Sequence, residues 1–351
     1  MADPTASSLT PSMTKAAAAP RIARGERRWL MATLVVAAGL ATVPAFVDVY
    51  NLSTIRDALL FGIFALSLDF FWGKTGTMSF GHATFFGLGA YGMAVVTIKL
   101  GLDPVVSPWL GLLAGMAFAG AIAAVVGYLL FFGGVRGAYF TIVTLALTLI
   151  AQQIAIGWSE VTGGDSGLIG VPPLSLPMVS VTFMDVPFFY LVLAVALAAL
   201  LGLWLACRGR YGRILAALQD NEPRALSLGY NTSAHLLLVF VLSAALAGLA
   251  GSIYVTGTGF VAPDMIGLLL STEVIMWVAV GGRGTLIGPF VGTLLVMRVQ
   301  QEISSIDTKL WPLAIGGFFI VMVFLFPDGV LSLFRSVRSL RARLARRRTG
   351  R

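Results

Sequence analysis

Long apolar runs fill most of this sequence, and their length predicts helices that cross a bilayer. About 17 to 25 apolar residues span the hydrocarbon core as an α-helix. Only 11% of the 351 residues are charged, whereas soluble domains carry about 25%. We therefore predict an all-α integral membrane protein with about ten transmembrane helices. The runs lie near residues 29–47, 53–72, 77–98, 109–132, 138–157, 187–207, 235–256, 266–281, 285–301 and 311–327.

The distribution of positive charge predicts that both termini are cytoplasmic. Cytoplasmic loops carry an excess of lysine and arginine. Placing the N-terminus inside puts 20 of the 24 lysines and arginines on the cytoplasmic side, and the opposite orientation would reverse this bias. The predicted outer loops carry most of the acidic residues instead. We therefore predict that the stretch between the sixth and seventh runs is cytoplasmic.

Two details of the run order remain open. The eighth and ninth runs are short and are joined by the tight turn GGRG (281–284), so they predict either two crossing helices or a re-entrant pair covered by protein or water. Spans two to five start outside and spans seven to ten start inside. This order permits an inverted repeat, which is common in transporters.

The ends of the chain differ from its apolar middle. Residues 1–28 predict a disordered basic tail, residues 29–330 a transmembrane domain, and residues 331–351 a basic cytoplasmic tail that lies on anionic lipid. A cleaved signal peptide is the alternative for the N-terminus, although the first apolar run is too long for a typical one. The arginine-rich end could also suggest nucleic acid, but we expect membrane lipid and no nucleic acid as its partner.

Few ionisable residues lie within the predicted spans. Asp69, Glu273 and Arg298 are predicted to reach towards helix ends or to pair with neighbouring helices. Cys207 is the only cysteine, and the two histidines are far apart in sequence, so we expect no metal site and no catalytic cluster. The scarcity of carboxylates also argues against a proton- or sodium-driven carrier.

Small and polar residues mark a predicted translocation pathway. The stretch 73–94 is rich in glycine, which lets helices approach closely or break. Threonines at spacings of three and four form one polar stripe in 136–153. Tight packing and bonds from threonine to its own backbone are the structural alternatives. The predicted pathway residues are Ser79, His82, Thr84, Tyr139, Thr141, Thr144 and Thr148, and the predicted gating or packing residues are Gly81, Gly87, Gly89, Gly282, Arg283 and Gly284.

The longest predicted outer loop, 157–186, contains Gly163, Gly164 and Gly167, which favour tight turns. This acidic, lysine-free loop predicts either a docking surface for an extracytoplasmic partner or a plain connector.

A polar interruption at 208–234 predicts a cytoplasmic helix–turn–helix. An apolar helical face precedes the turn DNEP, Pro223 suits the first turn of a second helix, and Asn221 or Glu222 suits its cap. Gly229 suits its C-terminal end. Such local order in a loop predicts a surface that another protein binds, with an amphipathic turn on the membrane surface as the alternative.

Five sequence blocks resemble the branched-chain amino-acid permeases of bacterial ABC importers, over roughly residues 50–330. The most specific block is GRILAALQDNEPRALSLGYNTSAH, and SFGHATFFGLGAYG, GAYFTIVTLAL, TGGDSGLIG and GGRGTLIGP follow the family order. The long basic N-terminus resembles the M-type subunit of the permease pair. MWVAVGGRGTLIGP also resembles the urea and short-amide branch, so the solute stays open between amino acids and urea or amides.

The resemblance implies an inner-membrane importer subunit that is not an enzyme. A second, H-type permease, two ATPases and an extracytoplasmic solute-binding protein are the implied partners. ATP and Mg²⁺ would bind to the ATPases, and this chain lacks the phosphate-binding loop GxxxxGK[ST], so we expect no cofactor here. The implied ATPase-contacting residues are Gly212, Arg213, Ala216, Asn221, Glu222, Arg224, Ala225 and Gly229.

Three other classes of protein are the alternatives to an importer subunit. A secondary carrier or channel would transport solute alone, without an ATPase. A membrane enzyme would need a catalytic cluster, and a membrane scaffold would not need the ordered cytoplasmic hairpin.

Overall fold

The computed structural model describes residues 24–100, 103, 105–175 and 185–306, with isolated positions 313, 316, 317 and 320. The chain divides into two units at Val43 and Pro44. The first unit contributes helix α1 (Arg24–Thr42). The second unit contains the other helices: α2 Val49–Thr75, α3 His82–Lys99, α4 Ser107–Phe132, α5 Gly137–Gly157, α6 Ser159–Thr162, α7 Asp185–Cys207, α8 Gly209–Asp220, α9 Glu222–Ser227, α10 Thr232–Thr258, α11 Leu268–Gly281 and α12 Gly288–Ile306.

Each of the first nine predicted runs corresponds to one helix. Within the described residues, four helices are long and apolar enough to cross a membrane by length and composition, namely α4, α5, α7 and α10. The protein is therefore a multi-pass membrane protein. The tenth predicted span, 311–327, and both predicted tails lie largely outside the described residues, so the count of ten spans and the side of the termini stay predictions.

Helix α11 is too short to cross a bilayer unaided. Its 14 residues extend about 21 Å, against roughly 30 Å for the hydrocarbon core. The segment before it forms a short strand at 260–261 and a 3₁₀ turn at 263–266, which packs against α3 and α5. Non-helical backbone at this depth is tolerated because protein covers its polar groups.

The predicted outer loop adds a small β-ribbon to a fold that is otherwise helical, in agreement with the all-α prediction. Strand β1 (Leu168–Ile169) pairs antiparallel with β2 (Phe260–Val261). The backbone torsion φ is positive at Gly163, Gly164 and Gly167, so these glycines form tight turns as predicted. The ribbon joins two loops that are almost a hundred residues apart and fixes them over one end of the bundle.

Three helices meet at glycines in the core. Helices α3, α4 and α10 pack on one another, and a Cβ atom added to Gly89 would overlap the backbone of Gly248. Gly115 of α4 is equally close to the Gly89 carbonyl. The buried Ser252 hydroxyl donates to the Gly89 carbonyl at 3.0 Å. Small residues thus bring the helices into backbone contact, as expected for packing in a membrane.

The helix packing supports the predicted repeat. Helices α2 and α10 each have 27 residues and end at a left-handed glycine, Gly76 and Gly259. An irregular segment and a shorter helix follow each of them, α3 in one half and α11 in the other. Helix α4 packs on α3 and α10, and α12 packs on α11 and α2. Each half thus packs one helix on the long helix of the other half, α4 on α10 and α12 on α2. This symmetry favours the inverted repeat, which stays a prediction.

Candidate functional site

The polar interruption forms the predicted helical hairpin, made of α8 and α9. Asn221 caps α9, because its side-chain oxygen accepts a hydrogen bond from the Arg224 amide at 2.9 Å. Pro223 lies in the first turn, where its missing N–H costs nothing. Gly229 follows the helix with a φ of 88°. The cap, first turn and C-terminal glycine are therefore confirmed.

One face of this hairpin packs on the protein and the other is exposed. Leu215 and Leu218 are buried where α8 contacts α2 and α7. Leu226 and Leu228 are 60% and 70% exposed. Leucines on a polar hairpin outside the apolar spans are typical of a surface that a partner protein covers. The exposed members of the predicted contact set are Arg213, Ala216, Asn221, Arg224 and Gly229.

Three members of the predicted contact set have structural roles in this chain. Ala225 is 3% exposed, so it packs under α9. Gly212 lies against the Cys207 carbonyl with no room for a Cβ atom, which lets α8 fold back from α7. The Glu222 carboxylate is bonded within the protein, to Arg136. No pattern in the sequence indicated these internal contacts, and direct contact of these residues with an ATPase stays a prediction.

Arg136 connects the hairpin to three helices. Its guanidinium donates to Glu222 Oε1 at 2.8 Å, to Ser233 Oγ at 2.8 Å and to the Phe131 carbonyl at 2.9 Å. Phe131 belongs to α4 and Ser233 to α10, and Arg136 itself precedes the first residue of α5. One side chain therefore links α9 to the ends of α4, α5 and α10.

The GGRG turn is held against α2 by Asp69. Both carboxylate oxygens accept backbone hydrogen bonds, one from the Gly284 amide and one from the Leu286 amide at 3.1 Å. Lys74 donates to the Gly284 carbonyl at 3.2 Å. The predicted gating residues Gly282 and Gly284 have positive φ, as does Leu286, a conformation unfavourable for leucine. Asp69 thus supports a strained turn through backbone amides, where the sequence suggested an ion pair or an end-reaching side chain.

We expect Asp69→Asn to lower the free energy of unfolding by about 1.5–3 kcal/mol, the usual value of hydrogen bonds to a charged group. An amide keeps one acceptor oxygen and presents a donor to the second backbone N–H. Thermal melting of the detergent-solubilised protein would measure the change. Asp48→Asn is the matched control, because Asp48 is exposed and makes no capping bond at the start of α2. Equal melting temperatures for the two variants would contradict this role for Asp69.

The predicted pathway residues lie mostly between helices in this conformation. His82 is fully buried, with its Nε2 atom 2.8 Å from Ser67 Oγ and its ring stacked on Phe64. The Thr84 and Thr148 hydroxyls bond to each other at 3.1 Å. The Thr144 hydroxyl accepts a hydrogen bond from the Phe80 amide at 3.2 Å. The polar stripe of α5 therefore holds the segment before α3, and its role in solute passage stays a prediction.

The remaining predicted positions have different surroundings. Ser79 is buried before α3, and the Thr141 hydroxyl donates to the Met78 carbonyl at 3.1 Å. Tyr139 is 77% exposed on α5. Gly81 lies against the Thr144 carbonyl and Gly87 against Ile266, so both are packing positions here. The Arg283 guanidinium lies 5.4 Å from the centre of the Trp72 ring, on the predicted cytoplasmic side.

Two cavities at the opposite end of the bundle were missed by the sequence analysis. They have volumes of ≈ 470 Å³ and ≈ 300 Å³. Phe61 and Glu273 line both of them, and the lysine and arginine distribution predicts that they lie on the outer side. The acid in an apolar helix was the available signal, but residues from six helices, α2, α3, α5, α10, α11 and α12, build these walls. The described residues contain no cluster of three or more histidine, cysteine or acidic side chains suited to a metal ion.

Comparison with known proteins agrees with the sequence resemblance. A profile of the family described as "Branched-chain amino acid transport system / permease component" matches residues 50–326. The high-affinity branched-chain amino acid transport system permease protein LivM of Salmonella typhimurium is 27% identical over 341 residues, covering 90% of this chain and 77% of the relative. LivM of Escherichia coli is 28% identical, covering 88% and 76%.

A second group of relatives is named after a different solute. The autoinducer 2 import system permease protein LsrC of Salmonella paratyphi B is 28% identical over 263 residues, covering 68% of this chain and 73% of the relative. No solved structure matches the chain.

Proposed function

We propose, on the premise that the chain belongs to the family of branched-chain amino acid transport system permease components, that it is the M-type permease subunit of a bacterial ABC importer. It moves branched-chain or related hydrophobic amino acids inward across the inner membrane. ATP hydrolysis on partner ATPases drives the movement. The partners are an H-type permease, two ATPases and an extracytoplasmic solute-binding protein.

The exposed hairpin of α8 and α9 is the observation that carries this proposal. It presents Arg213, Arg224 and two exposed leucines beyond the apolar spans, and its other face is fixed to α2 and α7. A tether would need neither a capped second helix nor a buried face. The hairpin therefore suits a protein partner that pushes on it, and a carrier or channel acting alone has no need of such an element.

Arg136 connects the hairpin to the membrane spans, so a movement of the hairpin can be transmitted to them. A movement of α9 displaces the Glu222 carboxylate, and Arg136 passes this displacement to the ends of α4, α5 and α10. Helix α5 then bears on the segment before α3 through Thr144 and Thr148. We infer alternating access, in which these helices rock around a central path.

Co-purification and uptake together test this function. We expect a tagged chain, expressed with its neighbouring transport genes, to co-purify with a second permease and an ATPase. Cells that lack the gene should lose uptake of labelled leucine. Uptake of labelled urea is the parallel measurement, because urea permeases are the alternative branch. A chain that purifies without these partners and transports solute unaided would refute the importer.

A further inference from the structure

A polar cavity lies between the hairpin and the GGRG turn. Its volume is ≈ 330 Å³, and its walls come from the last turn of α2, from α8, from α11 and from the GGRG turn. The described lining is Trp72, Gly73, Lys74, Gln219, Ala279, Arg283 and Gly284. Gln219 is an exposed residue of α8, so the cavity is continuous with the exposed face of the hairpin. A protein that binds this face from the predicted cytoplasmic side therefore also meets the cavity.

The cavity carries positive charge. Lys74 and Arg283 line it, and its described lining contains no acidic side chain. Asp69 attracts both cations, but its two carboxylate oxygens already accept backbone hydrogen bonds from the turn. Two cations and one carboxylate leave one positive charge. This excess favours an anionic group in the cavity.

Arg283 has hydrogen-bond donors that no described residue uses. It is exposed, and its guanidinium carbon lies 5.4 Å from the centre of the Trp72 ring. Within the described part of the chain, Arg283 forms no hydrogen bond and no ion pair. Stacking on a ring leaves the N–H groups at the edge of the guanidinium free to donate. This planar fork matches the two oxygens of a carboxylate.

The backbone that presents Arg283 is held in an unfavourable conformation. The torsion φ is 101° at Gly282, 74° at Gly284 and 61° at Leu286. A leucine with positive φ costs free energy and persists only where its surroundings fix it. Asp69 supplies that support by accepting from the Gly284 and Leu286 amides. Strained backbone of this kind occurs often at binding sites, so the turn is suited to holding one side chain ready for a partner.

We propose that this cavity receives an acidic side chain of the partner ATPase, as a second contact beside the hairpin. Arg283 binds the carboxylate through its guanidinium edge, and Lys74 adds a second positive charge. The contact joins the ATPase to α2 and to the turn between α11 and α12. This inference rests on the proposed function and adds a docking site to it. The headgroup of an anionic lipid is the other source of an anion, and continuity with the hairpin favours the ATPase.

Binding of the ATPase to the permease pair tests this contact. The pair is reconstituted in nanodiscs of phosphatidylcholine, and the Kd of the ATPase encoded with it is measured at low and at high salt. We expect Arg283→Gln to raise the Kd by about tenfold at low salt, since a charge-assisted hydrogen bond is lost. The variant should also depend less on salt. Arg283→Lys should give an intermediate Kd, because lysine keeps the charge and lacks the fork.

A second variant and a matched control complete the design. Lys74→Gln should also weaken binding, although its amide can still donate to the Gly284 carbonyl that Lys74 contacts. Arg298→Gln is the control. Arg298 lies in α12, outside this cavity and on the predicted outer side. The loss of this cation should therefore leave the Kd within about twofold of the original.

The outcomes separate the second contact from the proposed function. Size-exclusion chromatography shows which variant pairs assemble. An assembled Arg283→Gln or Lys74→Gln pair that binds the ATPase as tightly as the original would overturn the second contact alone. If phosphatidylglycerol also stabilised the original pair and not these variants, the cavity would be a lipid site instead. Failure of the unaltered pair to bind the ATPase would overturn the proposed importer.

Discussion

Replacement of Gly89 by leucine is expected to abolish the folded protein. A Cβ atom at this position already overlaps the Gly248 backbone, and the Ser252 hydroxyl bonds to the Gly89 carbonyl. The overlapping atoms all belong to the Gly248 backbone, which cannot move aside as a flexible side chain can. Overpacking costs about 1–3 kcal/mol where side chains can adjust, so a clash between backbones should exceed that range. Fluorescence-detected size-exclusion chromatography would measure the loss as a missing monodisperse peak.

Two alanine substitutions in α4 provide the matched comparison. A Cβ atom on Gly115 would overlap Ser252 Oγ and the Gly89 carbonyl, whereas one on Gly120 meets only Ala245 Cβ, at 3.5 Å. Gly120→Ala should therefore be neutral or stabilising, by up to ~1 kcal/mol from helix propensity. Gly115→Ala should melt at a clearly lower temperature. Similar melting temperatures for the two variants would show that the three helices do not depend on this contact.

Local chemistry made the hairpin predictable from the sequence. Asn221, Pro223 and Gly229 each act within a few residues of their own position. The adjacent sequence is therefore sufficient to predict where the second helix begins and ends. The same holds for the apolar runs, because a span depends on its own length. The lysine and arginine bias then predicted which loops between the spans lie on the same side of the membrane. In the structure, the segments near 74–77, 133–137 and 207–235 do lie at one end of the bundle.

Contacts between distant parts of the chain could not be predicted in this way. The Arg136–Glu222 pair joins residues 86 positions apart, and Asp69 reaches the Leu286 amide across 217 positions. Glu273 and Phe61 line the same two cavities, and their distance in sequence likewise prevented a prediction. A polar residue in a membrane helix indicates that its polar group needs a partner. Only the packed structure shows whether that group meets a side chain, a backbone amide or a cavity. The short ribbon of β1 and β2 likewise needs two loops brought together in space.

Reversal of the Arg136–Glu222 pair is expected to separate two roles that Glu222 can have. Arg136→Glu places two carboxylates together and removes the bonds to Ser233 and the Phe131 carbonyl. Glu222→Arg brings two guanidinium groups together. Because the pair is partly exposed, with side-chain exposures of 27% and 29%, loss of the ion pair itself should cost only about 0–1 kcal/mol of folding free energy. Leucine uptake by either single variant should nevertheless fall by about tenfold or more, since the hairpin loses its fixed position.

The double variant Arg136→Glu, Glu222→Arg decides between the roles. If the pair transmits movement from α9, the restored attraction should recover part of the uptake, with the lost bonds to Ser233 and Phe131 limiting the recovery. If Glu222 acts by contacting the ATPase directly, the arginine at position 222 leaves that contact broken and uptake stays at the level of the Glu222→Arg single variant. Arg213→Glu changes an exposed position of α8 that does not share the hydrogen bonds of Arg136; it should lower uptake, and adding Arg136→Glu should not restore it. ATP hydrolysis measured on the same complexes would show whether the lost uptake reflects uncoupling, in which hydrolysis continues while transport stops.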